Sequence, residues 1–231
     1  MSTMRNRRVL VMTAVEAERA AVLRGLRGDA RFEVALAGVG PAMAAARTAW
    51  QLASADRSNE EWTYDLVVSA GIGGGFADRA EIGSLVVASE IIAADLGAES
   101  PEQLLTLDDL GFGTVRVAVD LARAERLHQR LSQTGLQTGF GPVLTVSTAT
   151  GTEATASRRA ARFEGAAAEA MEGYGVAVAA QQRGLPLLEI RAISNLVGPR
   201  DRSAWRIPEA LAALEAASAC FAETLLDKQR N

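Results

Sequence analysis

Cysteine and histidine are almost absent from the sequence, which has one of each among its 231 residues. The lone Cys220 cannot form a disulfide within the chain, so the composition indicates a reducing compartment, and we expect a cytoplasmic protein. With His128 as its one imidazole, the chain cannot supply a zinc site made of histidine and cysteine ligands. A Ser–His or Cys–His nucleophile would have to use His128, and nothing near it resembles a nucleophile elbow. We therefore expect neither a metal nor a cofactor.

Long apolar runs and a large excess of one charge are also missing. No segment approaches the roughly 18 unbroken apolar residues that indicate a membrane-spanning helix. The formal net charge is −4, which argues against a general nucleic-acid-binding or membrane-binding surface. We therefore expect a small molecule, and neither nucleic acid nor a membrane, as the partner of this chain.

What the sequence does contain is an alternation of strand-like and helix-like patterns, which predicts an α/β fold. Its length and its 48% apolar content suit one domain over residues 1–231. The predicted strands are 9–12, 32–37, 66–68, 85–92, 143–146 and 187–193. The predicted helices are 18–26, 42–53, 121–131, 166–182 and 207–226. A polar linker is predicted at 56–61, and a surface excursion or lid at 99–113.

Carboxylates and an amide stand where predicted elements begin or end. Glu16 and Glu18 follow the first strand. Glu172 lies in the alanine-rich predicted helix, and Asn195 follows the last predicted strand. Open α/β sheets bind ligands outside the carboxyl ends of their strands, and two carboxylates with one amide suit cleavage of a glycosidic bond. Each residue also has a structural explanation, as a helix-start acid, an exposed glutamate or a turn asparagine.

A glycine-rich run at 71–75 follows the third predicted strand. It does not satisfy the dinucleotide fingerprint G-x-G-x-x-G, because Phe76 stands where the last glycine is required. The run is either a tight turn or a floor where the backbone at Ile72 and Gly73 approaches a sugar or base closely.

Together these segments resemble the nucleoside phosphorylase and nucleosidase superfamily, and within it the hydrolytic branch that includes methylthioadenosine/adenosylhomocysteine nucleosidase. The resemblance covers residues 9–226 and depends on the order and spacing of its motifs. The matching segments are Ala-Val-Glu-Ala-Glu at 14–18, Gly-Val-Gly-Pro at 38–41, the run at 69–76, Met171-Glu172, and Arg-Ala-Ile-Ser at 191–194. The resemblance implies a three-layer fold whose central, mixed and partly barrel-like β-sheet is flanked by helices. It also implies a homo-oligomer, either a dimer or larger.

One departure from this branch concerns the leaving base. Relatives that act on adenine nucleosides have an aspartate where this chain has Asn195, and an amide cannot give a proton to N7 of adenine. An amide can donate a hydrogen bond to N7 or to O6 of a 6-oxopurine, which indicates hypoxanthine or guanine as the base. Residues 194–205 also resemble the futalosine hydrolases. That family releases hypoxanthine from futalosine, an inosine-like nucleoside, during menaquinone biosynthesis.

Two further departures concern ribose and phosphate. Ala170 stands where related nucleosidases often have another glutamate, so the grip on ribose rests on Glu172. The Gly-Asp-Pro-x-Arg motif of the phosphorylases is not found in the sequence, and a phosphate nucleophile needs fixed cationic donors. The sequence therefore favours hydrolysis over phosphorolysis.

The resemblance implies a role for each candidate residue. Glu18 activates a water, and Asn195 and Ser194 bind the base. Met171 and Glu172 hold the ribose, while Ile72 and Gly73 form the floor beneath the substrate.

The 5′ end of futalosine carries a carboxylated aromatic group, which needs a cationic partner. Arg200, Arg202 and Arg206 flank Trp205, whose ring offers a stacking surface. Each arginine taken singly is also typical of a solvated loop.

Three other functions remain open on the sequence. One is a methylthioadenosine or adenosylhomocysteine nucleosidase, which Asn195 disfavours. Another is a purine nucleoside phosphorylase, which phosphate-dependent turnover would reveal. The third is a nucleoside-binding or storage protein that binds purine nucleosides without turning them over.

Overall fold

The structure, a computed structural model, describes residues 6–57, 62–101 and 103–226. The strands in these ranges are β1 Asn6–Thr13, β2 Phe32–Leu36, β3 Trp62–Gly75, β4 Leu85–Ala93, β5 Gly97–Glu99, β6 Leu104–Thr106, β7 Arg116–Ala118, β8 Thr138–Thr145, β9 Ala168–Ala170 and β10 Leu187–Leu196. The α-helices are α1 Glu16–Leu26, α2 Pro41–Arg57, α3 Leu107–Leu110, α4 Leu121–Gln133, α5 Glu153–Arg162, α6 Gly173–Gln181, α7 Ile207–Ser218 and α8 Phe221–Thr224. A 3-10 helix, Arg202–Ala204, lies between β10 and α7.

Five strands close into a barrel. β3, β10, β4, β8 and β9 pair in that order, and β9 pairs again with β3. The β10–β4 and β9–β3 pairs are antiparallel, and the other three pairs are parallel. β1 and β2 extend the sheet beyond β3 in parallel, and β7 pairs with β4. The expected α/β fold with a mixed, partly barrel-like sheet is confirmed.

Helices cover both faces of the sheet, as β1 shows. Val9 and Val11 pack in a core layer with side chains of α1, α4 and α7. Leu10 and Met12 pack in a second layer with side chains of α2 and α6. A strand covered on both faces has an unbroken apolar sequence, which is why residues 9–12 predict a strand so clearly.

The prediction of one helix over 166–182 is wrong. Residues Ala168–Ala170 form β9, which pairs with β3 and β8, and α6 begins at Gly173. Glu172 is therefore the residue that precedes α6, instead of a residue inside a longer helix. Alanine favours helices locally, but pairing with two neighbouring strands overrides this weak preference.

Of the two interpretations left open for the glycine-rich run, the tight turn is wrong, because β3 continues to Gly75. Within this run, Gly74 pairs with Asn195 of β10 on one side and with Glu169 of β9 on the other. Backbone pairing on both edges holds these glycines extended, although glycine has little intrinsic preference for strands.

The remaining helix predictions differ mainly in their ends. Helix α4 begins as expected, and the Asp120 carboxylate accepts a hydrogen bond from the Arg123 backbone N–H at 3.1 Å. The predicted C-terminal helix 207–226 is divided into α7 and α8. Helix α2 continues to Arg57, and residues 58–61 of the predicted linker lie outside the described residues.

The segment 99–113 contains a strand pair and a short helix. Strands β5 and β6 form an antiparallel pair, and α3 follows them directly. Residue 102 lies outside the described residues. Just beyond this segment, the Tyr174 hydroxyl of α6 donates a hydrogen bond to the Thr114 carbonyl at 3.2 Å. None of the described helices has the length and hydropathy to cross a membrane.

Candidate active site

The Glu18 carboxylate is buried in the first turn of α1 and is held by peptide groups. Its Oε2 accepts hydrogen bonds from the backbone N–H groups of Ala14 at 2.8 Å and Val15 at 3.2 Å. Its Oε1 accepts from the Ile72 N–H of β3 at 2.9 Å. The side chain is 3% exposed. Glu18 therefore caps the start of α1 and at the same time lies against the glycine-rich part of β3.

The glycines of β3 allow this close approach. A Cβ on Gly71 would lie 2.6 Å from Glu18 Oε1 and 2.8 Å from Arg191 Nη1, distances too short for any larger residue. A Cβ on Gly73 would lie 2.8 Å from the Glu169 carbonyl oxygen. The glycine run thus brings charged side chains and a neighbouring strand next to the backbone of β3.

Glu172 lies at the junction of β9 and α6 and is also buried. Its Oε1 accepts a hydrogen bond from the Gly40 N–H, at the start of α2, at 3.2 Å. Its Oε2 accepts from Arg191 Nη1 at 3.3 Å. Both contacts are long for hydrogen bonds to a carboxylate. The carboxylate is therefore held loosely, in a way that permits new partners.

Arg191 interacts with both carboxylates, with Glu172 through a hydrogen bond and with Glu18 through its charge. It lies on β10, is 1% exposed, and each nitrogen of its guanidinium donates to a different side chain. Nη1 donates to Glu172, Nη2 donates to Ser69 Oγ at 2.8 Å, and Nε donates to Glu189 Oε1 at 2.8 Å. Arg191, Glu18, Glu172 and Glu189 together are called the Arg191 cluster below.

The sequence motifs do not identify Glu189. They also do not identify the partners of Arg191. The signal for both is present, because Glu189 and Arg191 are opposite charges two residues apart in an otherwise apolar strand. Residues at this spacing share a face of a strand, and buried charges need partners. Two charged residues in a buried strand therefore indicate a buried ion pair.

Burial dominates the electrostatics of the cluster. Desolvation raises the pKa of Glu18 above its ordinary value, although Arg191 and the Ile72 N–H lower it in part. Desolvation likewise raises the pKa of Glu189, again opposed by Arg191. Carboxyl groups with raised pKa values near a cationic partner are typical of sites that transfer protons.

Asn195 and Ser194 lie at the end of β10. The Ser194 hydroxyl can donate to either of two acceptors, Asn195 Oδ1 at 2.8 Å or the Gly73 carbonyl oxygen at 3.2 Å. Asn195 Nδ2 donates to the Leu196 carbonyl at 2.9 Å, which leaves its second hydrogen for another acceptor. The pairing with β3 shifts in register between Ile193 and Asn195, and such irregularities re-aim side chains.

A second buried carboxylate network lies beside Ala170 and Met171. Glu169 of β9 accepts hydrogen bonds from the Thr150 N–H at 2.7 Å, the Thr150 hydroxyl at 2.6 Å and Arg159 at 2.7 Å. The network fixes the segment between β8 and α5 against β9. Met171 is half-buried and packs against the apolar side chains beneath this segment.

Exposed Arg200 and Arg202 and half-buried Trp205 form a group after β10. The guanidinium carbons of the two arginines lie 5.2 Å and 5.8 Å from the centroid of the Trp205 ring, within cation–π distance. The Arg206 N–H donates to the Ser194 carbonyl at 2.8 Å and joins this loop to the end of β10. The loop is thus held close to Ser194, but none of the hydrogen bonds described for its arginines reaches the Arg191 cluster.

The structure contains a cavity of about 280 Å³. It is lined by the start of α2, by α6, and by the ends of β4 and β8, with Pro41, Tyr174 and Ser147 as examples. None of the Arg191 cluster, Ser194 or Asn195 lines it. It adjoins the cluster through Gly40 and Gly173, the neighbours of Pro41 and Tyr174. Among the described residues, no group of three or more histidine, cysteine, aspartate or glutamate side chains could hold a metal ion.

The structure therefore brings together two sets of the candidate residues. Glu18, Glu172 and the backbone of Ile72 meet around Arg191. Ser194 and Asn195 meet at Gly73 and Gly74. Because Ile72, Gly73 and Gly74 are consecutive in β3, this strand carries both sets.

Comparison with known proteins gives matches over nearly the whole chain. The model of the phosphorylase superfamily matches residues 13–227. Futalosine hydrolase of Streptomyces coelicolor is 50% identical, and the match covers 89% of this chain and 91% of that protein. Futalosine hydrolase of Acidothermus cellulolyticus is 45% identical, with 92% and 89% covered. The crystal structure of 5′-methylthioadenosine/S-adenosylhomocysteine nucleosidase from Neisseria meningitidis, in complex with methylthio-immucillin-A, is 20% identical. It has a TM-score of 0.77 and covers 96% of this chain and all of that chain, which shows a shared fold.

Proposed function

Because the chain belongs to the phosphorylase superfamily and, within it, to the futalosine hydrolase family, we propose that it hydrolyses the N-glycosidic bond of futalosine. The products are hypoxanthine and dehypoxanthine futalosine, in menaquinone biosynthesis. The proposal depends mainly on the buried Glu18 carboxylate. Three N–H groups hold it, and it feels the charge of Arg191, which donates a hydrogen bond to Glu172. This arrangement places a base, Glu18, and a ribose-binding group, Glu172, beside the same guanidinium.

In the proposed reaction, Glu18 orients a water and takes its proton. The water oxygen forms a bond to C1′ of the ribose while the bond from C1′ to the purine nitrogen breaks. The electron pair of that bond leaves with the purine anion, which takes up a proton from solvent to give hypoxanthine, while Glu18 returns the proton of the attacking water to solvent. A carboxyl whose pKa is raised by burial is a stronger base than an ordinary glutamate, which suits this role.

Glu172 and Met171 hold the ribose in this proposal. The Glu172 carboxylate has two long hydrogen bonds, to Gly40 and Arg191, so ribose hydroxyls can compete for its oxygens. An oxocarbenium-like centre develops positive charge at C1′ in such reactions, and the nearby carboxylates stabilise it. Ile72 and Gly73 form the backbone floor beneath the sugar.

Asn195 and Ser194 determine the base in this proposal. The free hydrogen of Asn195 Nδ2 is available to N7 or O6 of a 6-oxopurine, and the bond from Ser194 fixes the orientation of the amide. A hydrogen bond to the departing base stabilises the negative charge that it accumulates. Arg200 and Arg202, stacked near Trp205, are proposed to bind the carboxylate of the 5′ group.

We also propose a homo-oligomer, a dimer or larger, in the cytoplasm, with no cofactor and no nucleic-acid or membrane partner. The lone cysteine suits a reducing compartment, and the family resemblance supports self-assembly. The molar mass from light scattering tests the oligomer, and a mass of one chain would contradict it.

Incubation of the purified protein with futalosine in phosphate-free buffer tests the proposed function, with inosine and methylthioadenosine in parallel. Chromatography follows release of the base. Hypoxanthine from futalosine is the expected product. Adenine from methylthioadenosine would mean that Asn195 does not determine the base. Release that requires phosphate would indicate a phosphorylase, and binding without any release would indicate a nucleoside-binding protein.

A further inference from the structure

Glu189 is a fully buried carboxyl group for which the proposed reaction has no use. It is 0% exposed, and its Oε1 accepts one hydrogen bond, from Arg191 Nε at 2.8 Å. Its Oε2 has no hydrogen-bond partner among the described residues. An unpaired, charged oxygen away from water is costly, so this carboxyl group needs an explanation.

Within the part of the chain that the structure describes, the elements around Glu189 offer it no further cation. Gly173 lies directly against the carboxyl oxygens, where a Cβ would overlap both of them. No residue of α6, Gly173–Gln181, carries a charged side chain, and neither does the part of β4 that pairs with β10, at 85–87. On β3 the residue opposite Glu189 is Ser69, whose hydroxyl accepts from Arg191.

The side chains of the other elements near β10 contact residues other than Glu189. Helix α7 packs on the opposite face of β10, with Ile190 and Ala192. Glu169 of β9 is engaged by Thr150 and Arg159. The charged groups that act on Glu189 are therefore Arg191 and Glu172, with Glu18 beyond Arg191.

The cluster thus holds three carboxyl groups around one guanidinium. Glu18 accepts three backbone hydrogen bonds, and Glu172 accepts one from Gly40 and one from Arg191. From residues in the described ranges, Glu189 accepts one hydrogen bond. Since hydrogen bonds to the charged form stabilise it, a proton shared by the cluster resides most stably on Glu189. Desolvation, the main influence on its pKa, acts in the same direction.

We propose that Glu189 is a positioning residue that carries a proton and, as a neutral group, fixes Arg191 through Nε. The positive charge of Arg191 is then shared by Glu172 and Glu18 and is not neutralised by its nearest carboxyl neighbour. The effect on catalysis rests on the proposed role of Glu18 as the base, whereas the proton on Glu189 does not.

The consequence for catalysis is a pH effect. Arg191 lowers the pKa of Glu18 against the larger, opposite effect of desolvation. The base acts in its deprotonated form, so activity falls as the pH drops through the pKa of Glu18. If Arg191 Nε loses its acceptor, Glu189, the guanidinium is no longer held in place. The pKa of Glu18 then rises, and the acidic limb of the pH–rate profile moves to higher pH.

Two variants of the full chain separate charge from geometry. Glu189→Gln keeps the size and the acceptor oxygen and is neutral, as a protonated glutamate is. We expect it to retain kcat within about threefold of the unaltered chain, with the same acidic limb. Glu189→Leu removes the acceptor of Arg191 Nε. We expect its acidic limb on futalosine to move up by about one pH unit or more.

A core substitution controls for loss of stability. Leu131 is fully buried in α4, in the core layer on the other face of β10. Leu131→Ala should lower the melting temperature and leave the acidic limb where it is. If Glu189→Leu lowers the melting temperature without moving the limb, Glu189 is only structural. If Glu189→Gln moves the limb as far as Glu189→Leu does, the residue acts as a charged carboxylate. Either result overturns the proposal.

Infrared spectroscopy tests the proton without any substrate. At neutral pH the unaltered chain should show the carbonyl band of a buried protonated carboxyl group that Glu189→Gln lacks. Absence of that band overturns the proposal. The band also decides the matter if Glu189→Leu fails to fold or if futalosine is not cleaved, so failure of the proposed function remains distinguishable.

Discussion

The orientation of Glu18 comes from peptide N–H groups of two elements, the start of α1 and β3. Because these donors belong to the backbone, they hold the carboxylate in place before a substrate arrives. Enzymes gain rate when a base is already oriented, since no reorganisation is then needed during the reaction.

Glu18→Gln is therefore expected to lower kcat on futalosine by about 10²–10⁴-fold, the usual loss on removing a general base. Affinity for the nucleoside, measured by titration calorimetry, should change little. Glu16→Gln is the matched control, because Glu16 is exposed and pairs with Arg19. Full turnover by Glu18→Gln would show that this carboxylate is not the base.

Asn195→Asp is expected to change the choice of base. The substitution replaces the donating Nδ2, which lies 2.9 Å from the Leu196 carbonyl, by an oxygen that prefers to carry a proton there. Hydrolysis of futalosine should weaken and that of methylthioadenosine should increase, because the protonated acid can protonate adenine at N7. The ratio of kcat/KM for the two nucleosides measures this change. An unaltered ratio would contradict a role for Asn195 in selecting the base.

Single residues show how far the sequence could predict this site. Glu18, Glu172 and Asn195 stand beside strand and helix ends, and the structure places them around β3. Glu18 and Glu172 meet at Arg191, and Asn195 lies against Gly74. These meetings depend on contacts between distant residues, such as Gly40 and Glu172, which are 132 positions apart, and no local pattern encodes them.

At the scale of elements, β3 positions the site because its glycines let other groups come close. Gly71 accommodates Glu18 on α1 and Arg191 on β10, and Gly73 accommodates the backbone of β9. A glycine-rich segment has no side-chain pattern typical of a strand, so the sequence leaves a tight turn and a backbone floor equally open there. Pairing on both edges, which is formed by distant segments, decides the conformation instead.

Gly71→Ala is expected to destabilise the fold by about 1–3 kcal/mol, since the added methyl would overlap Glu18 and Arg191. It should also lower the rate of futalosine hydrolysis by displacing Glu18. Gly151→Ala is the control, because no atom of the described residues lies within 4 Å of the new methyl group. Thermal unfolding and turnover of the two variants, measured side by side, check the expectation. Equal stability and activity would contradict it.

The alanine-rich stretch at 166–182 shows that a local pattern can also mispredict a helix. Residues 166–182 have the composition of a helix, yet β9 and α6 meet within it and place Glu172 at their junction. The α/β class, both helix layers and the apolar central strands are predictable, because they follow from periodicity within short windows. The closure of the barrel through β9 follows from long-range pairing.

At the scale of the whole molecule, buried carboxyl groups link stability to pH. Burial raises the pKa values of Glu18 and Glu189 in the folded chain above those in the unfolded chain. Above the ordinary glutamate pKa, the folded chain therefore binds more protons than the unfolded chain. The stability from these two groups is fully present below the unfolded pKa and is lost as the pH rises toward the folded values.

The melting temperature is therefore expected to decline as the pH rises above the ordinary pKa of glutamate. Glu189→Gln should decline less steeply, because one of the two groups no longer titrates. Calorimetric melting temperatures across this range, for both chains in the same buffers, provide the measurement. Parallel curves would show that Glu189 titrates alike in the folded and unfolded chains.

Helices α2 and α6 touch through their backbones, because Gly175 of α6 lies against the Pro41 carbonyl of α2. Just before α2, the Gly40 N–H donates to the Glu172 carboxylate, so the same turn contacts both α6 and a proposed ribose-binding group. A shift of α2 therefore changes the hydrogen bonding of Glu172. If Glu172 binds ribose as proposed, a molecule that binds the outer surface of α2 and alters its position changes the affinity for ribose, and ribose alters the affinity for that molecule by the same factor.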